Sequence, residues 1–286
     1  MRAAILAAVV SMRMAGAAVA QPSIVAAENF YGDVAGQIGG AGVRVTSILS
    51  RPDQDPHLFE ASPSTARAVQ AAQIVVYNGA DYDPWMAKLV AATAVPGRTV
   101  LVAADLAHRR TGENPHLWYD PAVMPVVASA LADALAAADP AQAAAYRQRL
   151  AAFRQSLEPL ARKIADMRAR HAGVAITATE PAFGYLAAAL GLEMRNERFQ
   201  LAVMNDTEPR ASDVAAFEAD LRTKRVRALL FNSQATGPVV QRMLRLAKAS
   251  GVPVVGVTET EPAGMSFQAW MMGQLEALDT ALAAAR

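Results

Sequence analysis

Two prolyl-histidine pairs stand out in a chain that has only four histidines. His57 lies in Asp53-Gln54-Asp55-Pro56-His57-Leu58-Phe59-Glu60, and His116 lies in Asn114-Pro115-His116-Leu117-Trp118-Tyr119-Asp120-Pro121. Proline fixes its own φ and biases the preceding residue toward extended backbone, so the side chain that follows leaves the loop in a defined direction. A metal ligand needs that property, although a loop histidine with no ligand satisfies the same pattern. The second half of the chain supplies acids in comparable places. Glu180 follows an apolar run and precedes Pro181, and Glu259 follows another in Thr258-Glu259-Thr260-Glu261-Pro262. A first-turn glutamate favoured by a helix dipole also explains Glu180, and a solvated loop acid also explains Glu259. Imidazole and carboxylate together make a nitrogen–oxygen donor set suited to a divalent transition metal, and the absence of cysteine removes sulfur from it.

The elements that must position these side chains are short β-rich runs alternating with helical patterns. The runs are Ile24–Ala27, Val43–Leu49, Gln73–Tyr77 and Thr99–Ala103, then Val174–Ala178, Leu192–Glu197, Val226–Phe231 and Val252–Val257. Alternation of strand and helix argues for parallel sheets covered by helices. The fold class is therefore α/β, with two lobes, each a mainly parallel four-stranded sheet flanked by helices. The halves resemble each other. Ser62-Pro63-Ser64-Thr65 opens a helix that leads to Gln73–Asn78, and Ala211-Ser212-Asp213-Val214 opens one that leads to Arg227–Asn232, so each half shows a helix, an apolar strand and then Asn. In open α/β sheets ligands bind outside the carboxyl ends of the strands. Two facing lobes would bring His57, His116, Glu180 and Glu259 to one cleft.

A stretch without glycine, 139–170, separates the two sets of strands and carries apolar residues at helical spacing. It reads as a long linking helix, capped by Asp139 and interrupted or kinked at Pro159. The first twenty residues read as a secretory signal, with Arg2, an apolar stretch and Ala18-Val19-Ala20 as a small-x-small cleavage site, although Arg13 interrupts the apolar core. The expected divisions are thus 1–20 signal peptide, 21–138 N-terminal lobe, 139–171 linking helix and 172–286 C-terminal lobe. Cleavage would leave 25 basic against 26 acidic side chains. That near-neutral balance gives no support to nucleic-acid binding.

The ordered set Ala27-Glu28-Asn29-Phe30-Tyr31-Gly32, Asp55-Pro56-His57, Asn114-Pro115-His116-Leu117-Trp118, Glu180 with Phe183 and Tyr185, Phe231-Asn232-Ser233 and Gly251-Val252-Pro253 resembles the metal-specific solute-binding proteins of ABC importers, the zinc/manganese/iron cluster A-I family. The resemblance covers nearly the whole chain after the signal. It implies a periplasmic, monomeric, non-enzymatic subunit that captures one divalent metal ion as cargo and delivers it to permease and ATPase subunits at the inner membrane. It maps the ligands onto His57, His116, Glu180 and the acid near Glu259, where the family usually has Asp. Glu261 is the alternative for that fourth place. The family's third ligand is commonly His in zinc members and Glu in manganese or iron members, so Glu180 favours Mn²⁺ or Fe²⁺, with Zn²⁺ the competitor. His108 and His171 read as surface histidines. Three other readings compete: a metal-dependent hydrolase, a receptor for a metal chelate or organic cofactor in a cleft lined by Phe59, Trp118 and Phe183, and an adhesin or scaffold in which the metal only adds stability. No HExxH, GxSxG, Walker or dinucleotide-binding glycine pattern supports the hydrolase.

Overall fold

The computed structural model describes residues 21–51, 59–234 and 237–284. His57 and the expected signal segment 1–20 lie outside the described residues. In chain order the elements are β1 (Ser23–Glu28), α1 (Asn29–Gly39), β2 (Arg44–Leu49), α2 (Pro63–Ala71), β3 (Ile74–Tyr77), α3 (Pro84–Ala92), β4 (Thr99–Val102), α4 (Ala103–Leu106) and α5 (Val123–Ala138). Then come α6 (Ala143–Ser156), α7 (Glu158–His171), β5 (Ala175–Ala178), α8 (Gly184–Ala189), β6 (Glu193–Arg195) and α9 (Glu197–Met204). The chain closes with α10 (Ala211–Arg222), β7 (Leu229–Asn232), α11 (Pro238–Ala249), β8 (Val254–Val257) and α12 (Phe267–Ala284).

The strands form two four-stranded sheets, ordered β2-β1-β3-β4 and β6-β5-β7-β8, with every pairing parallel. The two orders are the same, which gives the weak internal repeat of the sequence a physical counterpart. The inner strands β1, β3, β5 and β7 are buried on both faces, which is why they are largely apolar, whereas the edge strands β2 and β8 alternate in burial. Val25, Val75 and Leu49 pack against Trp85 and Met86 on the outer face of the first sheet. Phe199, Phe217, Leu229 and Met243 do the same for the second. A larger cluster runs through the middle of the molecule, from Ile24, Phe30 and Tyr31 through Trp118 and Leu131 to Ile176, Leu230 and Leu275. This shared core ties the halves together.

Ser62 caps α2, its hydroxyl accepting from Thr65 N at 3.2 Å with Pro63 in the first turn, as its sequence position suggests. The linking segment differs in detail from one long rod. Asp139 makes no side-chain cap, Pro140–Gln142 is a 3₁₀ turn, and α6 and α7 meet at Leu157. Pro159 has no N–H to donate back into α6, which accounts for the break. Thereafter α7 is clamped to α12: Asp279 accepts from Lys163 Nζ at 2.7 Å, Arg170 Nη1 at 2.7 Å and lies 2.9 Å from His171 Nε2. His171 is therefore buried at 6% exposure, not a surface residue, because it completes this clamp; His108 is exposed as expected. Among the described residues no helix is long and apolar enough to cross a membrane.

Candidate metal centre

The three described candidates all stand at the carboxyl ends of strands or in the loops beyond them. Glu180 lies two residues past β5, Glu259 two residues past β8, and His116 in the loop before α5. All three are buried: His116 at 0%, Glu259 at 1% and Glu180 at 8% exposure. His116 Nε2 and Glu259 Oε1 meet at 3.2 Å across the two halves. Asn232 Nδ2 joins the two acids, donating to Glu180 Oε2 at 2.6 Å and to Glu259 Oε1 at 2.7 Å. His57 is the fourth candidate and falls outside the described residues. Among the described residues no group of three or more His, Cys, Asp or Glu converges in metal-holding geometry.

The loop that carries His116 is held by Asn114. Asn114 Nδ2 donates to Pro181 O at 2.8 Å, which fixes the amide orientation and leaves Oδ1 as the acceptor facing the histidine. That oxygen receives His116 N at 3.1 Å and lies 2.6 Å from His116 Nδ1. A carbonyl oxygen only accepts, so Nδ1 carries the hydrogen of this bond. The imidazole thus turns Nε2 toward Glu259. This is the arrangement common to metal-ligating histidines, whose second ring nitrogen donates to an oxygen that orients it. Two ligand atoms on one ion, each at about 2.0–2.2 Å, stand roughly 3.0–3.5 Å apart. The observed 3.2 Å separation falls inside that range. Gly184 is needed for the Asn114 contact, since a Cβ there would come within 2.8 Å of Asn114 Nδ2.

Glu259 is held on every side. Its other oxygen, Oε2, accepts from Tyr82 OH at 3.0 Å, and its backbone N donates to Gln234 Oε1 at 2.7 Å. Tyr82 follows a left-handed turn in which Gly79, Ala80 and Asp81 have φ of 75°, 52° and 63°. The Asp83 carboxylate holds this turn by accepting from Asn78 N at 2.7 Å and Gly79 N at 2.8 Å. Burial pushes Asp83 up to about 6. It pushes the fully buried Glu28 carboxyl well above the usual range, with the Asp83 charge adding to the effect.

Glu261 is tied to Asn29 through its backbone. Its backbone N donates to Asn29 Oδ1 at 3.1 Å, and its carbonyl accepts from Asn29 Nδ2 at 2.6 Å. Burial, with Asp33 nearby, raises its carboxyl to about 8. Sequence reasoning missed Tyr82, Asn114 and Gln234; only the Asn that closes each apolar strand carried a signal, and its role was not read. The aromatic residues considered as a ligand cleft are packing residues. Trp118 and Phe183 are each 1% exposed, and Phe59 packs against Trp85 with ring centroids 4.5 Å apart and the rings tilted by 56°. The apolar cavity of about 290 Å³ lies behind Trp118, among Met124, Leu160, Ile164 and Met271, and not at the His116–Glu259 contact.

Two α/β lobes with matching parallel sheets, and with polar side chains meeting between them at the strand ends, define a two-lobed solute-binding protein. Residues 24–281 match the family of the periplasmic zinc-uptake complex component A, and the chain belongs to that family. The family is one of transport solute-binding proteins. Among relatives, the chain is 26% identical over 266 residues to the zinc-binding protein AdcA of Streptococcus pyogenes, covering 81% of this chain and 50% of AdcA. It thus spans about half the length of that relative. It is 25% identical over 248 residues to the zinc-binding protein TroA of Treponema pallidum, covering 79% of each. It is 23% identical over 241 residues to the manganese-binding lipoprotein MntA of Bacillus subtilis, covering 81% of this chain and 77% of MntA. The solved structure of TroA superposes with a TM-score of 0.78 at 20% identity, covering 92% of this chain and 99% of that one. A manganese-bound periplasmic metal-binding protein of Candidatus Liberibacter asiaticus superposes at 0.72 with 17% identity, covering 91% of this chain and 99% of that one.

Proposed function

We propose that this chain is the periplasmic receptor of an ABC importer, that it captures one divalent transition-metal ion between its lobes, and that it releases the ion to a membrane permease energised by an ATPase. The ligand set is His57, His116, Glu180 and Glu259. The observation that carries the reading is the 3.2 Å approach of His116 Nε2 to Glu259 Oε1, with the imidazole oriented by Asn114. Export through the segment 1–20 and action as a monomer belong to the same reading. Two imidazoles and two carboxylates are donor types that suit Mn²⁺ and Fe²⁺, as the sequence reading expects. The relatives are named for zinc as well as manganese, and the number of donor oxygens separates those ions.

The test is titration of metal-free protein with Zn²⁺, Mn²⁺ and, without oxygen, Fe²⁺, in competition with a chromogenic chelator. It is paired with growth of a deletion strain under limitation of each metal. Stoichiometric binding of one ion and a growth defect for the same metal support the reading. No stoichiometric binding of any of the three ions rejects it.

A further inference from the structure

The apolar cavity of about 290 Å³ stands apart from the His116–Glu259 contact, at the break in the linking segment. Met124 of α5 forms one wall, Leu160 and Ile164 of α7 a second, and Met271 and Leu275 of α12 a third. Leu157, where α6 gives way to α7, lies on its edge. The walls come from both halves: α5 packs on α1 and β4, whereas α12 packs on α7 and β8.

Protein interiors leave few voids larger than a water molecule, so a void of this size among apolar side chains is unusual. Apolar cavities stay dry and take apolar molecules; one of roughly 150 Å³ admits benzene. At roughly 30 Å³ for each water-sized group, this cavity takes about ten. The Tyr119 hydroxyl on its wall is already engaged, 2.7 Å from Thr258 O and 2.6 Å from Gln274 Oε1. The charged residues that line the cavity, Arg154 and Glu158, are both exposed. Glu158 pairs with Arg162, one turn further along α7, at 3.4 Å. Arg154 donates to the neutral Ser129 Oγ at 2.7 Å, and among the described residues no acid pairs with it. The rim therefore presents an uncompensated positive charge beside an apolar interior.

We propose that this cavity is a second binding site, for one small amphipathic carboxylate. An unbranched apolar chain of about ten carbons fills the interior. The carboxylate lies at the rim on the Arg154 guanidinium, whose planar fork matches it. Apolar burial supplies the affinity, and Arg154 selects the sign of the headgroup. The bound chain touches α5, α7 and α12 together, so a ligand that binds only the folded protein stabilises the junction of the halves.

The experiment titrates delipidated protein, purified from the periplasm, with decanoate, decanol and decylamine by calorimetry, and follows the melting temperature against decanoate concentration. Decanoate is expected to bind one to one, to raise the melting temperature as its concentration rises, and to bind about fivefold more tightly than decanol, the upper end for an exposed ion pair. Arg154→Gln is expected to bring decanoate down to the affinity of decanol and to leave decanol unchanged. Ala161 lines the cavity from the exposed side of α7, so Ala161→Phe is expected to obstruct it and to abolish binding of both. Each exposed substitution carries the test if the other variant does not fold. No saturable binding of decanoate to wild type, equal affinity for decanoate and decylamine, or binding undiminished in both variants overturns the proposal. Sedimentation with phosphatidylglycerol vesicles without binding of free decanoate also overturns it, and assigns the rim to a membrane surface instead.

Discussion

Glu259 Oε1 stands 3.2 Å from His116 Nε2, although the first belongs to the loop after the last strand of the second sheet and the second to the loop before α5. Their side chains are 2% and 0% exposed, so a carboxylate is held against an imidazole almost without water. Burying a charge in this way is costly unless it is paired or coordinates a metal.

That relationship separates the two acids of the Thr258–Pro262 loop. Glu259→Gln keeps the size and removes the charge, and it is expected to weaken metal binding by about 100-fold or more, beyond the usual loss from an outer-shell partner. Glu261→Gln is expected to change it only slightly, because Glu261 is engaged through its backbone with Asn29. Competition titrations of both variants check the assignment, and a large loss confined to Glu261→Gln would reverse it.

Asn114→Ala removes the acceptor that orients His116. Its expected effect is a loss of metal affinity of about 10- to 100-fold with the fold retained, since the side chain acts on the ring and not on the core. Calorimetric titration beside a thermal melt distinguishes this from unfolding; an unchanged affinity would show that the loop backbone alone orients the ring.

The Glu28–Asp83 pair gives a pH signature. Glu28 keeps a proton in the native state that the unfolded chain loses near its ordinary value. Stability therefore falls as pH rises above about 4.5, and the loss continues up to the raised native value. Glu28→Gln is neutral in both states and removes that contribution. Urea denaturation at pH 5, 6, 7 and 8 should show stability falling less steeply with pH in the variant than in wild type, by at most about 1.4 kcal/mol per pH unit. Parallel slopes would mean that Glu28 is ionised in the native state.

Asp279 draws Lys163, Arg170 and His171 onto α12, and these contacts hold its carboxyl well below the usual carboxylate range. A lowered native value adds stability above the unfolded pKa and loses it as pH falls. Asp279→Ala is expected to cost about 1–3 kcal/mol at pH 7, the range for a hydrogen-bonded charged group. The difference from wild type should shrink toward pH 2. Equal stabilities at pH 7 would show that apolar packing alone joins α7 to α12.

The amino-acid sequence by itself determined the eight strands, the two matching halves and the break near Pro159. These are local signals: continuous apolar runs report strands buried on both faces, and proline reports a missing donor. It also singled out His116, Glu180 and Glu259 through proline spacing and strand ends. Only the tertiary structure decided that one amide, Asn232, serves two acids, that Tyr82 reaches Glu259, that Asn114 orients His116 and that His171 is buried against Asp279. Each of these contacts depends on which strand lies beside which, or on how two distant helices pack. The order β5-β7-β8 places Asn232 between residues 52 and 27 positions away along the chain. No local pattern encodes that adjacency, because it arises from the burial of whole sheet faces and not from the preferences of the residues that meet.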